Sequence, residues 1–185
     1  ERQRLLMERQ LGLAARLRLP AIIHTRAAEA DTLALLRNAR GEAWFREGRP
    51  GVIHCFTGGT AFAEALLALD YRLGFSGIVT FAGGAPLRKV AAAVPGERLL
   101  IETDAPYLTP VPLRGRPNEP ALVVHVAAVL ARERGVAPEE LAALTWHNAE
   151  TLFGTGRNAT DAGAPAGAPA EGAEDFACPG QAEGI

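Results

Sequence analysis

Short apolar segments alternate with helical segments along most of the 185-residue chain. Apolar runs bounded by glycine, proline or polar residues predict strands at 21–24, 52–56, 71–81 and 98–104. Apolar residues at helical spacing between these runs predict helices at 1–18, 27–40, 60–70, 86–94, 119–135 and 138–153. Parallel strands need a crossover of a dozen or more residues between them. The alternation therefore predicts an α/β fold in which helices cover a parallel sheet.

Periodicity leaves two architectures open, an open doubly wound sheet and a (β/α) barrel. The alternation ends near residue 154, so we expect one ordered domain over 1–154. Residues 155–185 are rich in alanine, glycine, proline and acidic residues. Such a segment buries too little apolar surface to offset the entropy of ordering it, which predicts a disordered tail.

Composition narrows the functional classes. The formal net charge is −2, with about −4 in the tail and about +2 over 1–154, too mild by itself to indicate nucleic-acid binding. No uninterrupted apolar run is long enough to span a bilayer and no export signal is evident, so we expect a protein without membrane contact. Cys55 and Cys178 form no disulfide framework, which favours a cytoplasmic location.

Polar residues stand at the ends of three predicted strands. His24 closes the first strand, His54 lies near the end of the second and Asp104 closes the fourth, and a loop and a helix follow each. The carboxyl ends of parallel strands meet at one face, where α/β folds keep their chemistry. Two imidazoles and a carboxylate are ligands that a divalent metal uses in hydrolysis. The pattern therefore predicts a metal site formed by residues far apart in sequence.

Strand alternation adds two candidate neighbours to this site. Glu102 shares a face with Asp104, and we expect it to support that ligand without binding the ion itself. Arg26 shares a face with His24 and is placed to contact an anionic oxygen. Cys55 would point away from His54 into the core.

The residues that carry these features resemble the second half of the TatD-family metal-dependent deoxyribonucleases. The stretches 9–36, 51–81 and 97–131, which include "AIIHTR", "GVIHCFTGG" and "LLIETDAPYL", carry the resemblance, and it extends from about residue 1 to 154. It implies a TIM-type (β/α)8 barrel with two divalent cations that hydrolyses DNA phosphodiester bonds, often as an exonuclease. His24 and His54 match metal ligands on the fifth and sixth strands, and Asp104 matches the aspartate on the eighth.

The same resemblance implies that part of the family pattern is missing. The family begins with an H-x-H strand and later supplies a glutamate that bridges the metals, and neither occurs in this sequence. We therefore expect strands five to eight of a barrel and an incomplete metal site. Exposed strand edges would favour association with the missing N-terminal half or with a second copy.

Further residues enter as expectations for the intact enzyme. Asp104 would bind metal and orient or deprotonate the attacking water. Arg26, Arg114 and Arg116 are candidates for phosphate contacts, and Asn118 would cap the following helix or touch substrate. The metal is left open, because histidine with carboxylate suits zinc and manganese while magnesium prefers more oxygen ligands.

Two alternatives remain beside a deoxyribonuclease. The first is an amide or ester hydrolase of the same superfamily, which would use the same metal ligands. The second is a catalytically silent fragment or assembly unit, which would catalyse no reaction by itself. A serine hydrolase is poorly supported, because Ser76 lacks the second glycine of a G-x-S-x-G motif.

Overall fold

A four-stranded parallel sheet forms the centre of the structure. The computed structural model describes residues 1–39 and 49–154. Neighbouring strands pair in chain order, β1-β2-β3-β4, and every pairing is parallel. The strands are β1 Ala21–His24, β2 Gly51–His54, β3 Arg72–Phe75 and β4 Leu99–Ile101. The prediction of an α/β fold with a parallel sheet is confirmed.

Helices connect the strands and follow the last one. They are α1 Arg2–Leu17, α2 Glu29–Ala39, α3 Thr60–Leu67, α4 Ala85–Ala93, α5 Val123–Arg134 and α6 Pro138–Phe153. Glycine in the left-handed conformation ends the last two helices, at Gly135 and Gly154. Helix α6 starts at Pro138 and carries Glu139 and Glu140 in its first turn, where the helix dipole favours negative charge.

Three predicted strands are shorter in the structure. The strand predicted at 52–56 covers Gly51–His54 and ends before Cys55. The run at 71–81 is a strand only over Arg72–Phe75, and Gly77–Thr80 forms a 3-10 helix instead. The backbone approaches a distant loop closely in this segment, since a Cβ on Gly77 would lie 2.0 Å from the carbonyl oxygen of Leu108. The run at 98–104 is a strand only over Leu99–Ile101. The predicted tail, 155–185, lies outside the described residues.

The two faces of the sheet bury different clusters. The main core lies between one face and the helices and includes Ile23, Ile53, Leu73 and Leu99. Alternate residues point to the other face, where Val52 and Leu100 pack against Leu152 of α6. Asn148 fastens α6 there, since its side-chain amide donates to the carbonyl oxygens of Gly96 and Leu99 at 2.7 and 2.8 Å. Helix α6 thus meets β4 at its amino end.

The sheet is open at both sides in the described part of the chain. Its outermost strands, β1 and β4, each pair with one neighbour. Ile22 of β1 is 67% exposed, although it lies beside the buried Val52 in the parallel register. An apolar side chain exposed next to a strand edge is a surface that another segment can cover. Within residues 1–39 and 49–154, no helix is both long and apolar enough to cross a lipid bilayer.

Tyr71 offers a test of the core. It is 1% exposed, and its hydroxyl has no hydrogen-bond partner among the described residues. Burial raises the pKa of Tyr71 above the ordinary value of about 10. Above pH ~10 the phenol ionises in the unfolded chain but stays neutral in the folded chain. The free energy of unfolding therefore falls as the pH rises past this point. Tyr71→Phe removes an unsatisfied buried group. We expect it to raise the free energy of unfolding by about 1 kcal/mol at pH 7.

Urea unfolding at pH 7 and at pH 10.5 measures this effect. The gain from Tyr71→Phe should increase at the higher pH, because the wild-type chain alone loses stability there through this phenol. Tyr107→Phe is the matched control, since Tyr107 is 71% exposed. A marked loss of stability in Tyr71→Phe at pH 7 would contradict the assignment of an unpartnered hydroxyl.

Candidate metal centre at the carboxyl ends of the strands

His24 and His54 stand side by side at the carboxyl end of the sheet. Each is the last residue of its strand, and the two are paired in the parallel register. Their ring centroids are 6.0 Å apart. The apolar residues before them, Ile23 and Ile53, are buried against the helices, so alternation turns both imidazoles to the opposite face. The predicted placement of the two histidines at one face is confirmed.

Glu102 holds the ring of His54 in place. One carboxylate oxygen, Oε1, lies 2.8 Å from His54 Nδ1 and accepts a 2.7 Å hydrogen bond from the backbone N–H of Cys55. Burial raises the pKa of Glu102 above its ordinary value, although its contacts with His54 and Cys55 act in the opposite direction. A carboxylate bonded to one ring nitrogen fixes the orientation of the other nitrogen. Glu102 therefore directs His54 Nε2 outward from β2.

Asp104 lies at the other nitrogen of the same ring. Its Oδ1 is 3.4 Å from His54 Nε2, and about a third of its side chain is exposed. Two ligands of one tetrahedral zinc ion at about 2.0–2.2 Å from it lie roughly 3.3–3.5 Å apart. The nitrogen and the oxygen are thus separated by the distance that a shared cation requires. This pair fits a metal ion.

The complete three-residue centre is less closely assembled. His24 is exposed, and it approaches His54 only through the 6.0 Å separation of the rings. Across the described residues, no group of three or more histidine, cysteine, aspartate or glutamate side chains is close enough to hold an ion together. His24 as a ligand therefore stays a prediction. Among the described residues, His54 and Asp104 alone would supply an incomplete coordination shell for a metal ion.

Left-handed backbone conformations follow the strands at this end of the sheet. Ala27, Cys55 and Asp104 have φ values of 51°, 48° and 57°. Cys55 follows directly after His54, and the turn aims its N–H at Glu102. Its sulfur lies 3.3 Å from Ser76 Oγ, and burial raises the pKa of the thiol. The prediction that Cys55 points into the core is wrong. The strand ends before Cys55, so strand alternation does not apply to it, and its half-buried side chain lies beside Ser76.

Gly74 makes room for the Glu102 carboxylate. A Cβ at position 74 would lie 2.6 Å from Glu102 Oε2, far inside van der Waals contact. Gly74 belongs to β3, which separates β2 from β4 in the sheet. Glu102 can therefore reach across β3 to His54 only because position 74 lacks a side chain. The glycine in the apolar run at 71–81 was the signal in the sequence for this close packing.

The loop after Asp104 is fastened by Asn118. This residue is 5% exposed, and its amide nitrogen donates to the carbonyl oxygens of Thr103, at 2.7 Å, and of Tyr107. Its Oδ1 accepts from the N–H of Glu119 at 3.0 Å. All of the polar groups of the side chain are thus used within the loop. This arrangement supports a role in positioning the loop, and the predicted contact of Asn118 with substrate stays untested.

The three arginines predicted to contact phosphate are exposed, in different settings. Arg26 lies just beyond β1, two residues after His24. The guanidinium of Arg114 lies 4.0 Å from the centre of the Phe81 ring and donates to the carbonyl oxygen of Thr109 at 3.2 Å. Arg116 is held through its backbone, whose carbonyl oxygen accepts from the hydroxyl of Thr109. Their contacts with phosphate stay predictions.

The fold and this group of side chains define a class. The sheet is parallel, and histidines and carboxylates stand where its strands end. This arrangement is typical of α/β proteins whose functional sites lie at the carboxyl ends of the strands. The family model of TatD-related DNases matches residues 1–154. The chain therefore belongs to the TatD-related DNase family.

Individual relatives agree with this assignment. The uncharacterized metal-dependent hydrolase YcfH of Escherichia coli K12 is 50% identical over 134 residues, which cover 72% of this chain and 49% of that protein. The 3'-5' ssDNA/RNA exonuclease TatD of Pantoea vagans is 40% identical over 158 residues, or 83% of this chain and 59% of that protein. The crystal structure of YjjV, a TatD homologue of E. coli K12, superposes with a TM-score of 0.76 at 35% identity.

The extent of the match bears on the predicted half barrel. The chain spans about half the length of these relatives. The superposition with YjjV covers 83% of this chain and 57% of the YjjV chain. The family model matches residues 1–154 throughout, so the expectation that only the C-terminal part of the family is represented is not confirmed. The assignment of β1 to β4 as strands five to eight of a barrel stays a prediction.

Gly74→Ala tests the support of His54 by Glu102. The added methyl group would displace the carboxylate and break its contact with His54 Nδ1. Loss of such a supporting contact lowers metal affinity by about 10- to 100-fold. Gly83→Ala is the control, because a Cβ at position 83 meets nothing within 4 Å. Calorimetric titration with Zn²⁺ or Mn²⁺ should show weaker binding only in Gly74→Ala, and equal affinity in both variants would refute the role of Glu102.

Proposed function

We propose that this chain forms part of a metal-dependent hydrolase site that cleaves DNA phosphodiester bonds. One observation carries the proposal, the contact of His54 with Glu102 at Nδ1 and with Asp104 at Nε2. The 3.4 Å separation of His54 Nε2 from Asp104 Oδ1 supports a shared cation, and Glu102 on the other ring nitrogen would orient the imidazole toward it. Membership of the TatD-related DNase family supports the same reaction class.

Each residue has a separate part in this proposal. His24, His54 and Asp104 would hold divalent cations, of which the family resemblance implies two. The chemistry supplied when they are bound is polarisation of a water and of a phosphoryl oxygen. Glu102 would orient His54 by accepting a hydrogen bond from Nδ1–H. Asp104, with its carboxylate partly exposed, would bind metal and also orient or deprotonate the attacking water.

The substrate is proposed from chemistry and from relatives together. Arg26, Arg114 and Arg116 are exposed around the same end of the sheet, where guanidinium groups suit phosphate oxygens. The Pantoea vagans relative is named a 3'-5' ssDNA/RNA exonuclease, which makes a nucleic-acid strand the first substrate to examine here. Magnesium, manganese and zinc remain equal candidates for the metal, and a cytoplasmic location stays a prediction from cysteine usage.

The open sheet supports a second proposal, that the chain is an assembly unit and silent alone. A groove of about 690 Å³ runs along β1 and is lined by Leu13 and Leu17 of α1 together with Ile22 and His24. The apolar side chains of Leu13, Leu17 and Ile22 flank the unpaired edge of β1, where a further strand and helix could pack. The rest of a barrel would cover this groove and complete the ligands around His24.

Mixing experiments separate the two proposals. The purified chain is assayed alone and after addition of a polypeptide that spans the part of E. coli YcfH outside the match. We expect metal-dependent cleavage of labelled single-stranded DNA only in the mixture, with the two polypeptides eluting together in gel filtration. Cleavage by the chain alone would refute the silent assembly unit. Association without cleavage would count against the nuclease, and an amide substrate then tests the alternative hydrolase of the same superfamily.

Asp104→Asn tests the hydrolytic mechanism. The substitution removes a charged metal ligand and the group that would accept a proton from water, so we expect cleavage to fall at least about 100-fold. Glu64→Gln is the control, because Glu64 is exposed on α3. Rates of cleavage by the mixture of the two polypeptides, with Mn²⁺ and with EDTA, measure the effect. Cleavage that survives EDTA or Asp104→Asn would refute the mechanism.

A further inference from the structure

Tyr107 presents an aromatic ring to solvent beside the candidate metal centre. Its side chain is 71% exposed, whereas the other tyrosine of the chain, Tyr71, is 1% exposed. The N–H of Tyr107 donates to the carbonyl oxygen of Asp104 at 2.8 Å, which closes a turn. The Cα atoms at the two ends of such a turn lie within about 7 Å of each other. The ring is therefore carried by a backbone position close to the backbone of Asp104.

The loop that carries Tyr107 is fixed at several points. The buried amide of Asn118 donates to the carbonyl oxygen of Tyr107 itself. Gly77 packs against the carbonyl oxygen of Leu108, the next residue in the chain. Further along, the N–H of Val111 donates to Thr80 Oγ1 at 2.9 Å. The backbone is thus held on both sides of Tyr107, so the exposure of the ring does not come from an unattached loop.

An aromatic side chain on a fixed backbone binds flat partners at low entropic cost. Nucleic-acid bases are such partners when they are unpaired, because every base in a single strand exposes a π-face for stacking. Bases within a duplex are already stacked on one another and are not free to cover the ring. The position of Tyr107 beside Asp104 would bring a stacked base next to the phosphate that is hydrolysed.

We propose that Tyr107 is a substrate-positioning residue on which an unpaired base of single-stranded nucleic acid stacks. This inference rests on the proposed nuclease function and adds a residue that binds the bases of the substrate. Tyr107 contacts the base through its ring, so its hydroxyl is dispensable. Stacking of this kind tolerates any base and gives no strong sequence preference.

Binding in EDTA tests the proposal without any cleavage. Fluorescence anisotropy with a fluorescein-labelled oligothymidylate measures the affinity of the chain and of two variants at low salt. Tyr107→Ala should weaken binding by tenfold or more, as expected for the loss of about one stacked base. Tyr107→Phe should retain the wild-type affinity. An abasic oligomer of equal length should bind the wild-type chain and Tyr107→Ala equally.

Trp146→Ala is the matched control. Trp146 is 69% exposed, and it lies on α6, the helix that Asn148 fastens to the amino end of β4. Circular dichroism checks the fold of each variant. The proposal is overturned if the wild-type chain does not bind the oligomer, if Tyr107→Ala binds as tightly as wild type, or if Trp146→Ala loses as much affinity. Failure of the nuclease mechanism is seen separately, as cleavage that persists in Asp104→Asn.

Discussion

The Glu102 carboxylate joins two strand ends that are not neighbours in the sheet. It extends from the end of β4, across β3, to the ring of His54 and the N–H of Cys55 at the end of β2. A partly buried carboxylate is costly unless it accepts hydrogen bonds, and here both donors come from the same turn. The contact fixes the ring of His54 and the conformation of the turn together. The arrangement of Asp104 about the other ring nitrogen follows from it.

The support of the site extends from Glu102 into the sheet and the loop. Gly74 provides the space for the carboxylate, and Gly77 provides the space for the loop that follows Asp104. Asn118 then binds the loop backbone on both sides of Asp104. Each of these residues supports the position of His54 or Asp104, the proposed metal ligands, without being a proposed ligand itself. The chemistry of His54 and Asp104 therefore depends on packing that is distributed over β3 and over residues 103–118.

The sequence predicted the parts of the site that depend on local pattern. An apolar run that ends in histidine predicts a strand with a polar carboxyl end, and this held for His24 and His54. Only the strand that ends in His54 is buried, since Ile22 of the other strand is exposed. Alternation placed Glu102 and Asp104 on one face, and both do contact His54, but β4 ends at Ile101 and Asp104 takes a left-handed conformation. Glu102 and Asp104 therefore both face His54 because of a turn after β4, and strand alternation does not predict the geometry of a turn. Family membership rests on the match of residues 1–154 and extends beyond these few residues.

Other features depend on contacts between distant segments. The apolar run at 71–81 leaves the sheet after Phe75, and the backbone at Gly77 packs against Leu108, about thirty residues later. Asn118 precedes a helix, which suggested a cap, but its amide bonds to carbonyl oxygens earlier in the loop. Neither contact leaves a periodic signal in the sequence.

The left-handed residues behind the strands have a consequence for the evolution of this fold. A conformation of this kind costs a residue with a side chain roughly 1–2 kcal/mol, and glycine pays almost nothing. Ala27 and Cys55 both accept that cost where the polypeptide turns away from a histidine. Laboratory selection for heat resistance would therefore find gains in glycine or asparagine at these two turns, close to the two histidines.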